Sequence, residues 1–181
     1  MAGRRGVAVF PGLHREGLWV EISSMSDTIL EKLEGMGETL PEVPTPGGSY
    51  LPYRRHGDTL YLAGVICVRN GELTHTGKVG ETQTVESGYA GARVCALNAL
   101  AAMKAGLGTL EAVDQILFIG GYVNAVAGFA QSPQVINGAS DFFGELFGER
   151  GKHARAAVAV AGLPADSAVE IQVTVAVKPG H

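Results

Sequence analysis

The chain has 181 residues, of which 46% are hydrophobic and 18% are charged, which is typical of one folded globular domain and not of a disordered chain. Its formal net charge of -4, with no Lys/Arg-rich run, weighs against a nucleic-acid surface. No apolar stretch reaches the roughly 18–20 residues of a membrane span. Cys67 and Cys95 have apolar neighbours and predict buried free thiols in a reducing, cytoplasmic setting.

Residues 1–24 differ in character from the rest of the chain. They contain two early arginines and a short apolar stretch broken by Pro and Gly, which is a poor match to a signal peptide. A second methionine, Met25, starts the part of the chain with a clear core pattern. We therefore expect an N-terminal extension of little structural importance over 1–24 and a single domain over 25–181.

The first elements alternate between helical and extended patterns. Apolar residues at helical spacing after the N-cap candidate Ser26 predict a short helix. Prolines and glycines over 41–48 then predict an extended connector. The β-branched and aromatic run Thr59–Val68 predicts a strand, and the turn-rich stretch Asn70–Gly80 predicts a hairpin region.

The middle of the chain carries the clearest helix signal. Apolar residues recur every three or four positions from Val85 to Leu107, with Thr84 as N-cap and Gly106 or Gly108 as the terminating glycine. The apolar run Val113–Val126 predicts a buried strand in which two adjacent glycines weaken or bulge the pairing.

A second helix and two strands complete the predicted domain. The helix runs from about Pro133 to Phe147, and the strands cover Ala154–Ala161 and Ala168–Val177. The last strand alternates strictly, with valines and one isoleucine on one face and small or polar residues on the other. The predicted fold is α+β, in the order β-β-α-β-α-β-β, with two helices on one face of a mixed sheet.

Arg155 and Glu170 interrupt these two apolar strands. Antiparallel pairing that matches the faces puts Val158 opposite Ile171 and Arg155 opposite Thr174, on the same face as Glu170. The two charged residues then lie about four residues, or roughly 13 Å, apart along the sheet. We therefore expect them to act together only between subunits of an oligomer.

Several stretches of this sequence resemble one known family. They are GDTLYLAG (57–64), the helix TVESGYAGARVCALNALAAMKAGLG (84–108), VINGASDFFGELFG (135–148) and HARAAVAVAGLPADSAVEI (153–171). Over about residues 40–178 the chain resembles the Rid family of reactive intermediate deaminases, also called the YjgF or endoribonuclease L-PSP family, and is most similar to a less-studied branch. The resemblance implies a chorismate-mutase-like fold and a homotrimer with sites between subunits.

The resemblance also implies roles for individual residues. Arg155 corresponds to the family arginine that grips a substrate carboxylate, for which a guanidinium fork is well suited. Glu170 corresponds to the acid that holds or activates the attacking water. Tyr50 corresponds to a tyrosine that lines the cleft from the neighbouring chain. These three residues are the predicted catalytic set.

Further substrate-binding positions follow from the same resemblance. Gly64 corresponds to a glycine of the pocket-lining strand, where bare backbone lets a ligand approach. Asn137 corresponds to a polar residue near the pocket, with one extra residue between it and Arg155. Ala157 stands where the family usually has a cysteine, so only its backbone N–H could serve. His153, two residues from Arg155, is the histidine of most interest, although the histidines share no metal-ligand spacing.

The implied activity is hydrolysis of reactive imines or enamines derived from amino acids, which releases ammonia and gives a 2-keto acid. An arginine and a carboxylate can support it without a metal or cofactor. The implied partners are a small carboxylate-bearing imine, enamine or 2-keto acid and further copies of the chain, with no membrane. Two alternatives stay open: a non-catalytic trimer that binds carboxylates or a protein partner, which the substitution at Ala157 allows, and an endoribonuclease, which the acidic charge disfavours.

Overall fold

The computed structural model describes residues 28–181, so the predicted extension 1–24 and the N-cap candidate Ser26 lie outside it. The described part contains three α-helices and eight strands. The helices are α1 (Thr28–Gly35), α2 (Val85–Leu107) and α3 (Ser132–Phe147). The strands are β1 (Tyr53–His56), β2 (Thr59–Leu62), β3 (Val65–Ile66), β4 (Val68–Arg69), β5 (Glu72–Leu73), β6 (Val113–Asn124), β7 (Ala154–Val160) and β8 (Val169–Val177). The mixed α+β architecture is as predicted.

The long helix α2 begins and ends where its sequence predicts. The Thr84 side chain accepts a hydrogen bond from the Ser87 N–H, and the Ser87 hydroxyl accepts one from the Thr84 N–H, which satisfies two backbone donors at the start of the helix. At the other end, the Gly108 N–H donates to the Lys104 carbonyl. These caps define the two ends of α2. No helix within residues 28–181 is long and apolar enough to cross a membrane.

Strand β8 confirms the period-two prediction. Its odd-numbered residues, from Val169 to Val177, are all buried against the helices, whereas the even-numbered residues, from Glu170 to Ala176, are half-buried. The even-numbered face, which we call the open face, also carries Tyr61 and Val158, which are both about half exposed. One face of the sheet therefore forms the core and the other is left uncovered within the chain.

The predicted pairing of the last two strands is wrong. The main sheet has the strand order β1-β2-β8-β6-β7, with β3 also paired to β8, so β6 lies between β7 and β8. β7 pairs with β6 in parallel, because the connection between them runs through α3 as a β-α-β crossover. β8 then returns antiparallel on the free edge of β6.

This order also changes the faces of Arg155 and Glu170. Ile119 on β6 is aligned with Arg155, whereas Tyr122 is aligned with Glu170, three residues further along. Because side chains alternate between faces, Arg155 lies on the helix side and Glu170 lies on the open face, which corrects the prediction of one shared face. Three residues along the strands span about 10 Å, and two strand spacings across the sheet span about 10 Å more. The Cα atoms of Arg155 and Glu170 are therefore about 14 Å apart.

The remaining differences concern the N-terminal strands and the glycines of β6. The predicted strand Thr59–Val68 is broken into β2, β3 and the start of β4, and β1, whose sequence YRRH carries little strand signal, was not predicted. β4 and β5 form a tight hairpin whose turn and second strand lie in the predicted hairpin region, whereas β4 itself precedes that region. Gly120 and Gly121 pair regularly with β8, and the irregularities of β6 lie earlier, between Val113 and Phe118. A Cβ on Gly121 would lie 2.6 Å from the Ile136 side chain, so this glycine lets α3 approach the sheet.

Candidate functional site

The Glu170 carboxylate lies against the bare backbone of Gly64. Glu170 is aligned with Ile66 on β3 and with Tyr122 on β6, in the middle of the sheet. A Cβ at position 64 would lie 2.0 Å from the Glu170 Oε1 atom, so only glycine leaves room for the carboxylate in this position. The predicted site residues Gly64 and Glu170 are therefore direct neighbours.

A cavity of about 210 Å³ opens beside this carboxylate. One wall is the Pro-rich connector from Val43 to Gly47, and the Tyr50 ring extends that wall. Pro164, from the connection between β7 and β8, also lines the cavity. The Gly47 N–H donates to the Tyr50 hydroxyl over 3.2 Å, which holds the ring at the cavity. Tyr50 and Glu170 thus line one cavity whose other walls are largely apolar.

Glu170 has the electrostatics of a base. Burial raises the pKa of its carboxyl group above the ordinary value. Within residues 28–181 no side chain or backbone group donates a hydrogen bond or provides an ion pair to this carboxylate that would oppose the shift. An unpaired carboxylate with a raised pKa in a small cavity has lone pairs available for a water molecule or a ligand proton.

Arg155 is held on α3 by three hydrogen bonds. One Nη1–H donates to the Asn137 Oδ1 over 2.8 Å and another donates to the Ser140 Oγ over 2.9 Å. The Nη2 group donates to the Pro133 carbonyl over 3.3 Å. A guanidinium has five N–H donors, so the Nε–H and one Nη2–H have no partner within the part of the chain that the structure describes. These two donors can form one bidentate edge.

The groove beside Arg155 is open, and its lining includes polar and charged side chains. It has a volume of about 380 Å³ and is lined by Ser140, Gly144, Gly151, Lys152, His153 and Arg155. The acids nearby on α3 are engaged elsewhere, because Asp141 accepts from Tyr89 and Glu145 accepts from Arg93. Lys152 pairs with Glu149. Within residues 28–181 the Arg155 guanidinium forms no ion pair, so it can bind an anion from outside the chain.

The sequence-predicted residues thus fall into two groups. Tyr50, Gly64 and Glu170 line the cavity. Asn137 instead accepts a hydrogen bond from Arg155, which lines the groove. The structure does not bring the two groups together within one chain. Ala157 lies on the same side of β7 as Arg155 and packs against the core, and its predicted backbone contact with a ligand stays a prediction.

Comparison with known proteins places this chain in a family. Residues 31–175 match the family model described as YjgF/chorismate mutase-like, putative endoribonuclease. The chain belongs to the YjgF family. The family membership predicted from the sequence motifs is therefore confirmed, and the mixed α+β fold agrees with it.

Individual relatives cover most of the chain. The Trypanosoma cruzi protein TCP17 is 36% identical over 151 residues, which are 83% of this chain and 94% of TCP17. A crystal structure of an Agrobacterium tumefaciens protein of unknown function is 38% identical, with a TM-score of 0.80 over 85% of this chain and 95% of that one. A Shewanella oneidensis protein is 32% identical, with a TM-score of 0.79 over 82% of this chain and 98% of that one.

Sequence reasoning missed one residue beside Arg155. Ser140 contacts both Arg155 and His153, at 2.9 Å and 3.0 Å. His153 was visible in the sequence because it stands only two positions before Arg155. Ser140 gave no such signal, because a single serine within an amphipathic helix is indistinguishable from a surface residue. Within residues 28–181 no group of three or more His, Cys, Asp or Glu side chains could hold a metal ion.

Proposed function

We propose that this YjgF-family protein hydrolyses imines derived from amino acids to 2-keto acids and ammonia, in a homotrimer where the Glu170 cavity of one subunit faces Arg155 of the next. The observation that carries the proposal is the complementarity of the two groups. Arg155 is held with two N–H donors unused, and Glu170 is a carboxylate of raised pKa with no partner in the described chain. An imino acid needs both a carboxylate clamp and a water-activating base.

The proposed reaction is balanced and needs no other reactant than water. Arg155 holds the substrate carboxylate through its Nε–H and Nη2–H. Glu170 removes a proton from water while the water oxygen bonds to the carbon of the protonated imine and the C=N electron pair moves to nitrogen, which gives a neutral carbinolamine. Glu170 then gives this proton to the amine and takes the hydroxyl proton as the C=O bond forms and the C–N bond breaks. The ammonia that leaves accepts that proton from Glu170 and departs as ammonium, which leaves the 2-keto acid. An enamine enters the same route after it tautomerises to the imine.

A second subunit is needed to join the two groups, because they lie on opposite faces of one sheet and about 14 Å apart, and the family resemblance implies a trimer. The open face supports this assembly. Tyr61, Phe118 and Val158 expose 48%, 38% and 47% of their surface there, next to small residues such as Ala156 and Gly120. An interface between subunits over such a face buries apolar surface that water would otherwise contact.

Turnover of a freshly generated imine tests the proposal. An L-amino-acid oxidase supplies the 2-imino acid, and semicarbazide traps whatever imine is not hydrolysed. We expect the protein to lower the rate of semicarbazone formation in proportion to its concentration, and light scattering to give three times the mass of one chain. Carboxylate binding without turnover would favour the binding trimer instead. Cleavage of RNA that weakens with salt, without imine turnover, would favour the endoribonuclease.

A further inference from the structure

A chain of hydrogen bonds runs from the Arg155 guanidinium into the protein. The Arg155 Nη1 lies 2.9 Å from the Ser140 Oγ, which lies 3.0 Å from the His153 Nε2, and the His153 Nδ1 lies 2.7 Å from the Gly151 carbonyl oxygen. α3 supplies the serine, the residue just before β7 is the histidine, and the turn that precedes it supplies the carbonyl. Three separate segments therefore converge behind one guanidinium.

For a neutral His153 ring, only one arrangement of protons satisfies every member of this chain. A guanidinium can only donate and a carbonyl can only accept, so Ser140 accepts from Arg155 and the His153 Nδ1–H donates to Gly151. The Ser140 hydroxyl proton is then directed to the His153 Nε2, which must accept it. Burial lowers the pKa of His153, and the charge of Arg155 lowers it further against the opposing hydrogen bond to Gly151. The imidazole is thus neutral at neutral pH, as this arrangement requires.

We propose that Ser140 and His153 are positioning residues that orient the Arg155 guanidinium so that its Nε–H and Nη2–H edge faces the substrate carboxylate. The inference rests on the proposed function and assigns these two side chains a role in it. Ser140 and Asn137 occupy both Nη1 donors, so the guanidinium cannot rotate about its Cδ–Nε bond without breaking two hydrogen bonds. His153 fixes the Ser140 hydroxyl with its lone pairs toward Arg155.

The energetic reason is the flexibility of arginine. A free arginine side chain occupies many rotamers, and ordering it when a ligand binds reduces the affinity. A guanidinium that is already ordered on three acceptors loses less freedom when it grips a carboxylate. The bidentate edge therefore depends on the residues that hold the other N–H donors of the guanidinium.

A double-mutant cycle tests this dependence. The dissociation constant of 2-ketobutyrate is measured by calorimetry for Ser140→Ala in the native background and in an Arg155→Lys background. We expect Ser140→Ala to weaken binding about tenfold in the native background and less than about twofold in the Arg155→Lys background, because the two residues act through one interaction. Equal losses in both backgrounds would show that Ser140 does not act through Arg155 and would overturn the proposal.

The histidine offers a matched pair of variants. Gln in place of His153 keeps an acceptor near the position of Nε2, whereas Leu fills similar space without one. We expect His153→Gln to keep the native dissociation constant within about threefold and His153→Leu to weaken binding about as much as Ser140→Ala. Thermal melting and light scattering establish that each variant is folded and assembled. Equal affinities of His153→Gln and His153→Leu would contradict the role of His153.

A measurement on the native protein does not depend on any variant. Nitrogen-15 NMR of the imidazole reports which nitrogen carries the proton, and we expect Nδ1–H at neutral pH. An Nε2–H tautomer or a doubly protonated ring would overturn the hydrogen-bond chain.

The failure of the proposed function can be distinguished from the failure of this inference. If Arg155→Ala binds 2-ketobutyrate as tightly as the native protein, the carboxylate clamp is wrong. A loss of binding in Arg155→Ala without a loss in Ser140→Ala removes only the positioning role.

Discussion

The Glu170 cavity and the Arg155 groove differ in the surroundings and the hydrogen-bond partners of their charged groups. Glu170 sits at a largely apolar cavity, half-buried, with a raised pKa and no partner in the described chain. Arg155 lies at an open groove with three of its five donors engaged by α3. The charge of Glu170 therefore has no partner in the described chain, whereas the charge of Arg155 is held in one orientation.

This difference matches two different chemical tasks. A base must exchange protons, so it benefits from an environment that makes its charged form less stable and its proton affinity higher. A clamp must stay charged and hold one geometry, so it benefits from fixed acceptors behind it. The comparison predicts that changes at the cavity affect turnover and changes at the groove affect binding.

The largest expected effect is at Glu170. The substitution Glu170→Gln keeps the shape and removes the charge that would activate water, so we expect kcat to fall about 100-fold or more. Binding of 2-ketobutyrate should stay within about threefold of the native value, since the clamp is unchanged. Imine turnover at saturating substrate and calorimetry measure the two quantities. Equal turnover in the variant and the native protein would remove Glu170 from the mechanism.

The groove should respond in the opposite way. We expect Arg155→Ala to weaken 2-ketobutyrate binding about 100-fold, because a charge-assisted bidentate pair is lost. Arg155→Lys keeps the charge without the planar fork, so a loss of about tenfold is expected. Calorimetry gives the affinities, and light scattering checks that the oligomer survives. A drop in melting temperature with a proportional loss of binding would indicate a structural role instead.

The raised pKa of Glu170 predicts a pH profile. As a base, Glu170 must be ionised, so kcat/KM should fall about tenfold per pH unit once the pH drops below its raised pKa. That pKa lies above the ordinary glutamate value because of burial. The same shift means that the folded state binds this proton more tightly than the unfolded state, so the stability contributed by Glu170 is lost as the pH rises through its folded-state pKa. A profile with no acidic limb would contradict the assignment.

A substitution at Gly64 tests the position of the Glu170 carboxylate without changing its charge. In Gly64→Ala the new Cβ would lie 2.0 Å from the Glu170 Oε1, which ends a flexible side chain and can move aside. We therefore expect stability to change by less than about 1 kcal/mol and turnover to fall about tenfold or more. Gly47→Ala is a matched control on the same cavity, because a Cβ there meets nothing within 4 Å. Similar turnover in the two variants would show that the carboxylate position is not critical.

The smallest effect is expected from removal of residues 1–24. Both regions are built from residues between Val43 and Glu170, and the family match begins at residue 31. Turnover, 2-ketobutyrate affinity and the oligomeric mass should therefore equal those of the full chain within error. A truncated protein that loses its oligomer or melts several degrees lower would assign the extension a structural part.

Local pattern was enough to predict most elements, whereas most candidate site residues came from the family resemblance. α2 could be predicted with both ends, because Thr84 and Gly108 act on the backbone groups next to them. The buried face of β8 could be predicted because alternation depends only on the strand itself. The short strand β1 could not, because its sequence has little β propensity and it forms only by pairing with β2.

The sequence by itself determined which residues are candidates for the proposed chemistry: Arg155 and Glu170 stand out as charges in apolar strands, and the family motifs surround them. The tertiary structure decided how they are arranged. The α3 crossover places β6 between β7 and β8, which moves Arg155 to the helix side and Glu170 to the open face. Strand order depends on contacts between residues far apart in the chain, and local periodicity contains no information about it. Ser140 becomes a neighbour of Arg155 only through that same crossover.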